Sequence, residues 1–335
     1  MRDRYGRPVT DLRISLTQRC NLKCVFCHME GQPVAREELS PAQIERVVRI
    51  ASGLGVDRVK LTGGEPTLRS DLVEIVERIA PLVSEVSMTT NGLRLADLAA
   101  RLKAAGLARV NVSVPSLDPA VYRELTGVDG LESTVRGIRA AIQAGLGPVK
   151  LNAVSLADAT NDPTSVDRLI GFAQDVGAWV QVIEFENVSG RVDPEVYRSL
   201  HSELSRLTRS AAARAFRTSQ NRLHGRPRYT FERKGRPVTV EVVQPVENPE
   251  FCMACTRLRL TSDGRLKGCL MTNAGLVDLR PLLEADAPDA ALVEAFETAV
   301  RWRRPFFVGP ETPVPAADPA ETTGLGAALP VLGHP

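Results

Sequence analysis

The chain has 335 residues, 43% of them hydrophobic, enough to bury a large core in one main domain with a smaller extension. A formal net charge of +2 and only 4% aromatic residues argue against a general polyanion binder and against a stacking platform for single-stranded nucleic acid. Arg2, Asp3 and Arg4 are followed by mixed polar sequence rather than a signal-peptide core, and no run of about 20 apolar residues follows, so a soluble cytoplasmic chain with no membrane partner is expected.

Short β-rich runs alternate with amphipathic helical stretches through the first half. The strand candidates are Leu12–Leu16, Arg58–Leu61, Glu85–Met88, Val110–Val114, Val149–Val154 and Trp179–Phe185. Helical patterns lie near 41–53, 70–82, 96–105, 131–144 and 163–176, with Ser40 and Ser70 where N-caps belong. Six β/α units imply an α/β fold, an incomplete (β/α)6 TIM-like barrel with its sites at the C-terminal ends of the strands. From Arg206 to Arg236 there are ten Lys or Arg and one acid, Glu232. That segment reads as a solvated basic face or as a lobe facing a phosphorylated substrate. Val238–Val243 is a further strand, Asp263–Gly264 a turn and 289–301 a helix. Six of the 23 prolines fall between Pro310 and Pro335, the composition of a disordered tail. The expected domains are residues 1–190 (barrel), 191–308 (C-terminal region) and 309–335 (tail).

Six cysteines form two triplets with none between residues 28 and 251. A disulfide framework is unexpected in a cytoplasmic chain, and clustering at ligand spacings points to metal. Cys20-x-x-x-Cys24-x-x-Cys27 supplies three thiolates, one short of the four that hold a [4Fe–4S] cubane, which leaves one iron open. Zinc is the alternative, but its structural sites want four protein ligands, and His28 is awkwardly adjacent to Cys27.

This spacing after a strand, with Phe26 just before the last cysteine, resembles the radical S-adenosylmethionine (SAM) superfamily. The resemblance implies that SAM chelates the open iron and is cleaved to a 5′-deoxyadenosyl radical, which abstracts hydrogen from a substrate. The run Thr62-Gly63-Gly64-Glu65-Pro66-Thr67 after the second strand resembles the loop that holds the methionine end of SAM. Glycines permit close backbone approach, and Glu65 or nearby carbonyls can accept from an ammonium. Thr90 and Ser113, at the ends of strands three and four, match polar positions used for SAM or substrate.

Cys252-x-x-Cys255 with Cys269 repeats the three-thiolate arrangement. The stretch from Phe251 to Leu270 resembles the second-cluster region of the GTP 3′,8-cyclase family of molybdenum cofactor biosynthesis, archaeal-type branch, and the likeness runs from about Gly6 to Phe307. It implies two [4Fe–4S] clusters, the second binding the guanine of GTP through its open iron, which as a Lewis acid can take a ring nitrogen or oxygen. Arg257 and Arg259 would supply forked donors beside it. Arg13, Lys60 and Lys150 match substrate-contacting positions, Lys150 toward the triphosphate.

Three positions depart from the bacterial pattern: Gln181 replaces an arginine, Glu186 a methionine, and the chain ends Leu332-Gly333-His334-Pro335 instead of in a glycine pair. The departures keep open a related enzyme on another nucleoside or nucleotide, as in nucleoside-antibiotic pathways, for instance a decarboxylase of a cytosine nucleoside uronate. A non-catalytic zinc or iron–sulfur protein binding nucleic acid is a third reading. Expected partners are the nucleotide, an electron donor such as flavodoxin or ferredoxin, and a second copy of the chain in a homodimer.

Overall fold

The structure is a computed structural model that describes residues 1–31, 37–156, 163–185, 215–220, 225–233, 235–246 and 248–305. Glu186, the first part of the basic segment and the Pro-rich tail lie outside the described residues. Strands β1 (Asp11–Ser15), β2 (Arg58–Thr62), β3 (Glu85–Thr90), β4 (Arg109–Ser113), β5 (Lys150–Ser155) and β6 (Trp179–Glu184) alternate with helices. These helices are α1 (Pro41–Gly53), α2 (Leu72–Ile79), α3 (Leu95–Ala104), α4 (Pro119–Thr126), α5 (Leu131–Gln143) and α6 (Pro163–Val176). The hairpin strands β7 (Arg217–Gln220), β8 (Pro227–Arg233) and β9 (Arg236–Val243) follow. Then come α7 (Pro249–Met253), β10 (Arg257–Leu260), β11 (Arg265–Lys267), β12 (Val277–Asp278), α8 (Arg280–Glu284) and α9 (Asp289–Arg301).

Among the described residues, twelve strands form one sheet in the order β12-β11-β10-β1-β2-β3-β4-β5-β6-β9-β8-β7. Six parallel strands were expected, and the sheet has a longer parallel run: β9 pairs parallel with β6 at one edge and β10 with β1 at the other. The C-terminal region therefore embraces the barrel from both sides. Among the described residues no helix is long and apolar enough to cross a membrane.

Period-two alternation sets the two faces of the sheet. Leu12 and Ile14, Val59 and Leu61, Val110 and Val112 are at most 1% exposed and join the main hydrophobic core, which also takes in Ile44, Val47 and Val48 of α1. Each contributes about 1.5–3 kcal/mol relative to an exposed side chain. Their neighbours on the other face are polar: Asp11 and Arg13, Arg58 and Lys60, Arg109 and Asn111. A barrel whose inner positions are apolar packs solid, whereas this inner face bounds a cavity.

Ser40 caps α1 through a reciprocal box with Gln43. Ser70 does not cap α2. Asp71 occupies the N-cap position without a side-chain cap bond, because its carboxylate is taken by Arg69 at 2.8 and 2.6 Å. Arg69, 7% exposed, also donates to the Leu16 and Leu39 carbonyls, so the pair braces the end of β1 instead of the helix. Helix α4 was not foreseen; it is eight residues long, capped by Asp118 and ended by Gly127 at φ +73°.

Candidate active site

A cavity of about 430 Å3 lies along the inner face of the sheet, lined from all eight parallel strands and both cysteine regions. The candidate metal, cofactor and substrate residues read from the sequence border it: both triplets, Phe26, Gly63, Gly64, Glu65, Thr90, Ser113, Arg13, Lys60, Lys150, Arg257 and Arg259.

The first triplet sits beyond the C-terminal end of β1. Its loop is pinned to α4, where Lys23 N donates to Thr126 O at 2.8 Å and Val25 N to Leu125 O at 3.0 Å. The Leu22 amide lies 3.4 Å from Cys20 Sγ and the Met29 amide 3.4 Å from Cys27 Sγ. Burial and the neighbouring Cys27 and Cys20 thiols push Cys24 up to about 12, so a metal bound there must displace its proton. The glycines of the next loop serve the chain itself. A Cβ on Gly63 would meet Thr17 O at 2.3 Å, and one on Gly64 would meet Arg19 O at 2.3 Å. Gly64 N donates to Thr17 O at 2.7 Å and Glu65 N to Arg19 O at 2.8 Å, which splices this loop onto the segment leading into Cys20.

Glu65 is 1% exposed and its carboxylate accepts hydrogen bonds from three residues. Oε1 accepts from Thr67 N (3.0 Å), Thr67 Oγ1 (2.6 Å) and Thr90 Oγ1 (2.7 Å), and Oε2 accepts from Asn91 N (2.7 Å). Asn91 Nδ2 in turn donates to Asn21 Oδ1 at 2.7 Å, inside the cysteine loop. Glu65 thereby organises the loop and ties it to the cysteine loop. Glu65→Gln would turn an amide NH2 toward donors and leave at least one unsatisfied, at about 1–3 kcal/mol. A melting temperature lowered by several degrees checks this; an unchanged one would remove the organising role.

The second triplet lies at the opposite mouth. Cys252 is on α7, Cys255 just before β10, which runs parallel to β1, and Cys269 follows the antiparallel return β11. The two triplets are thus separated by the length of β1, about 17 Å for five residues. Arg7 NH1 donates to Cys252 O (3.0 Å) and Arg303 NH2 to Cys255 O (2.6 Å). Both guanidiniums converge on buried Asp3. Burial alone would raise the Cys255 thiol, but Arg257, Arg303 and Arg259 hold it below its ordinary value. Arg259 is ion-paired with Glu30 at 3.0 Å, and Lys267 Nζ donates to Glu30 O at 3.1 Å, so the first-triplet loop also touches the β10–β11 hairpin.

Between the mouths the wall is cationic. Burial, then Arg109, Arg13, Lys150 and Arg257, drive Lys60 well below its ordinary value, and its hydrogen bond goes to the neutral Asn111 Oδ1 at 3.2 Å. Lys150, 7% exposed, pairs with Glu241 at 3.1 Å. Burial lowers it to about 8, against the pull of Glu241. Gln181 Oε1 accepts from Asn111 and its Nε2 donates to Glu241, closing a polar chain across four strands. Asn111 was read from the sequence with Ser113 as a polar strand-end position, whereas Asn152, Glu241, Arg7 and Asp3 were missed as parts of the site. The alternation of polar and apolar residues within β5 and β9 was the available signal for Asn152 and Glu241; Arg7 and Asp3 are far away in sequence.

Among the described residues no three His, Cys, Asp or Glu side chains already converge as a metal site. The donor chemistry fits iron–sulfur clusters all the same: each mouth offers three thiols that sense one another's charge, with amide donors on two sulfurs of the first set and guanidiniums beside the second.

A parallel α/β sheet with a three-cysteine loop at the mouth of β1 and a spliced glycine loop after β2 defines a radical SAM enzyme. The family model described as Radical SAM superfamily matches residues 14–165, and that described as Molybdenum Cofactor Synthesis C matches residues 178–307. A Thermococcus kodakarensis protein named "Probable GTP 3',8-cyclase" is 47% identical over 306 residues, covering 91% of this chain and 99% of that one. A Pyrococcus abyssi protein of the same name is 46% identical over 305 residues, with 91% and 99% covered. The chain belongs to the GTP 3′,8-cyclase family, and as a member it uses two [4Fe–4S] clusters and SAM. Among solved structures, Streptococcus suis SuiB bound to S-adenosylmethionine shares the fold at TM-score 0.60 and 20% identity. That match covers 84% of this chain and 66% of SuiB, so the chain spans just under two thirds of it.

Proposed function

We propose that this enzyme converts GTP to 3′,8-cyclo-7,8-dihydroguanosine triphosphate, the first step of molybdenum cofactor biosynthesis. The observation that carries this reading is the two-mouthed cavity: three thiols at each end, about one nucleotide apart, with a cationic wall between them. Cys20, Cys24 and Cys27 would hold the first cluster, and Cys252, Cys255 and Cys269 the second. When bound, these groups and SAM supply a 5′-deoxyadenosyl radical at one mouth and an open iron for guanine at the other. The substrate loses its ribose C3′ hydrogen, C3′ bonds guanine C8, and one electron and one proton complete the product. A donor such as flavodoxin or ferredoxin supplies the electrons.

The chain's own residues bind and orient. Arg257 and Arg259 flank the guanine mouth, and Arg13, Lys60 and Lys150 face the ribose and phosphates. Lys60 lacks a carboxylate partner among the described residues, so a phosphate oxygen there would restore its ordinary proton affinity. The neutral Gln181 favours the second reading, a less phosphorylated nucleoside as substrate. Anaerobic reconstitution with dithionite and SAM, offering GTP beside UTP, CTP and a cytosine nucleoside uronate, separates the two. Mass spectrometry should find 5′-deoxyadenosine and a cyclised product with GTP. Turnover of only a non-guanine substrate would sink the cyclase reading.

Lys150 also sets a pH dependence. Its ammonium attracts phosphate, and it loses its proton as pH rises through about 8. GTP affinity should therefore be full below that pH and weaken above it by at most about tenfold per unit, since bound phosphate holds the proton on. Lys150→Arg, always charged, should flatten the profile measured by titration calorimetry. A wild-type profile flat to pH 10 would contradict the assignment.

A further inference from the structure

We propose that Arg226, held at the cavity wall by the buried carboxylate of Glu241, is a phosphate-binding side chain of the substrate site. This rests on the nucleotide reading above and deepens it. The basic segment Arg206–Arg236 left open whether its cations face solvent or substrate. Its described members divide. Arg217 and Arg236 are exposed, whereas Arg226 is 8% exposed and borders the cavity beside Lys150 and Gln181.

Register explains the placement. Glu241 of β9 lies opposite Gln181 of β6 and opposite Arg228 of β8, so the β8–β9 hairpin lays Arg226 along the strand that bounds the site. Glu241 is fully buried and does not border the cavity itself. It accepts from Lys150 (3.1 Å), Arg226 (3.2 Å), Arg228 (2.7 Å) and Gln181 (2.9 Å). Lys150 and Arg226 are the two of these three cations that also border the cavity. Arg226 is further fixed by the Phe251 ring, 5.5 Å from its guanidinium carbon. A planar guanidinium with restricted freedom beside a lysine suits a polyphosphate, which it can grip through two oxygens. On this wall β6 offers the neutral Gln181, and Arg226 supplies the forked cation from the neighbouring hairpin instead. Glu241 is a positioning residue that keeps Lys150 and Arg226 from repelling each other apart.

The test is a comparison of ligands that differ only in phosphates. Dissociation constants of GTP and GMP are measured by anaerobic titration on cluster-loaded wild type, Arg226→Ala and Arg226→Gln. The glutamine keeps a donor for Glu241 while deleting the charge, which guards against loss of fold. Both variants should bind GTP about 10- to 100-fold more weakly, the range for one charge-assisted contact, with GMP changed less than about threefold. Equal losses for GTP and GMP would mean a purely structural residue and overturn the proposal, as would unchanged GTP binding. Wild-type enzyme that ignores GTP but binds another nucleoside triphosphate would defeat the cyclase reading alone, and the same tri- versus monophosphate comparison on that ligand would still decide Arg226. Binding of no nucleotide would overturn both.

Discussion

Gly64→Ala is expected to empty the first triplet of iron while leaving the second loaded. The added Cβ would stand 2.3 Å from Arg19 O and 2.7 Å from both Arg19 C and Gln18 O, all backbone atoms that cannot rotate away. The loop must therefore part from the segment entering Cys20. That breaks Gly64 N to Thr17 O and Glu65 N to Arg19 O, each costing about 1–3 kcal/mol when its partners stay buried. Lifting the Gly-Gly loop also pulls Glu65 from Asn91 and hence from Asn21 in the cysteine loop. Iron should fall from about eight to about four per chain, since each cubane holds four. SAM cleavage should vanish, because the open iron that binds SAM goes with it. A Gly64→Ala enzyme with full iron content would show that the splice does not hold the cysteine loop.

Cys255→Ala should produce the complementary loss. The second triplet is supported by α7, the β10–β11 hairpin and the Arg7 and Arg303 contacts, and the hairpin's Arg259 and Lys267 bind Glu30 beyond Cys27 rather than a cysteine of the first triplet. Iron again drops to about four per chain, but the remaining cluster still supports slow SAM cleavage without coupling to substrate. Product formation should fall at least about a thousandfold, the loss of a Lewis-acid contact worth several kcal/mol. If Cys255→Ala retained normal GTP turnover, the second triplet would have no part in holding the substrate.

The chemistry of this chain was written locally and its architecture was not. Three cysteines within eight residues declare themselves at any distance from the rest of the fold, and so does a Gly-Gly-Glu-Pro run. The roles inside that run were harder to read. The glycines make room for Thr17 and Arg19, and Glu65 accepts from Thr67, Thr90 and Asn91. Thr90 and Asn91 come from another strand end, which periodicity cannot bring near. Strand β10 extends the sheet from an unexpected place, because it is a four-residue strand of alternating Arg and Leu, easily taken for the flank of a cluster motif. Its pairing with β1 puts Arg257 and Arg259 level with Asp11 and Arg13, which turns two widely separated segments into one cavity wall. Asp3, Arg7 and Arg303 were illegible for the same reason: the buried triad spans nearly the whole chain. Glu241 was within reach, since it is a polar residue between apolar ones on an expected strand.

The central claim is that the two mouths hold one GTP molecule so that its ribose C3′ faces the first cluster. The direct measurement is isotope transfer. GTP carrying deuterium at C3′ is turned over anaerobically, and the 5′-deoxyadenosine formed is weighed by mass spectrometry. The account predicts 5′-deoxyadenosine heavier by one deuterium, formed together with the cyclised triphosphate. Unlabelled 5′-deoxyadenosine accompanying that product would contradict it.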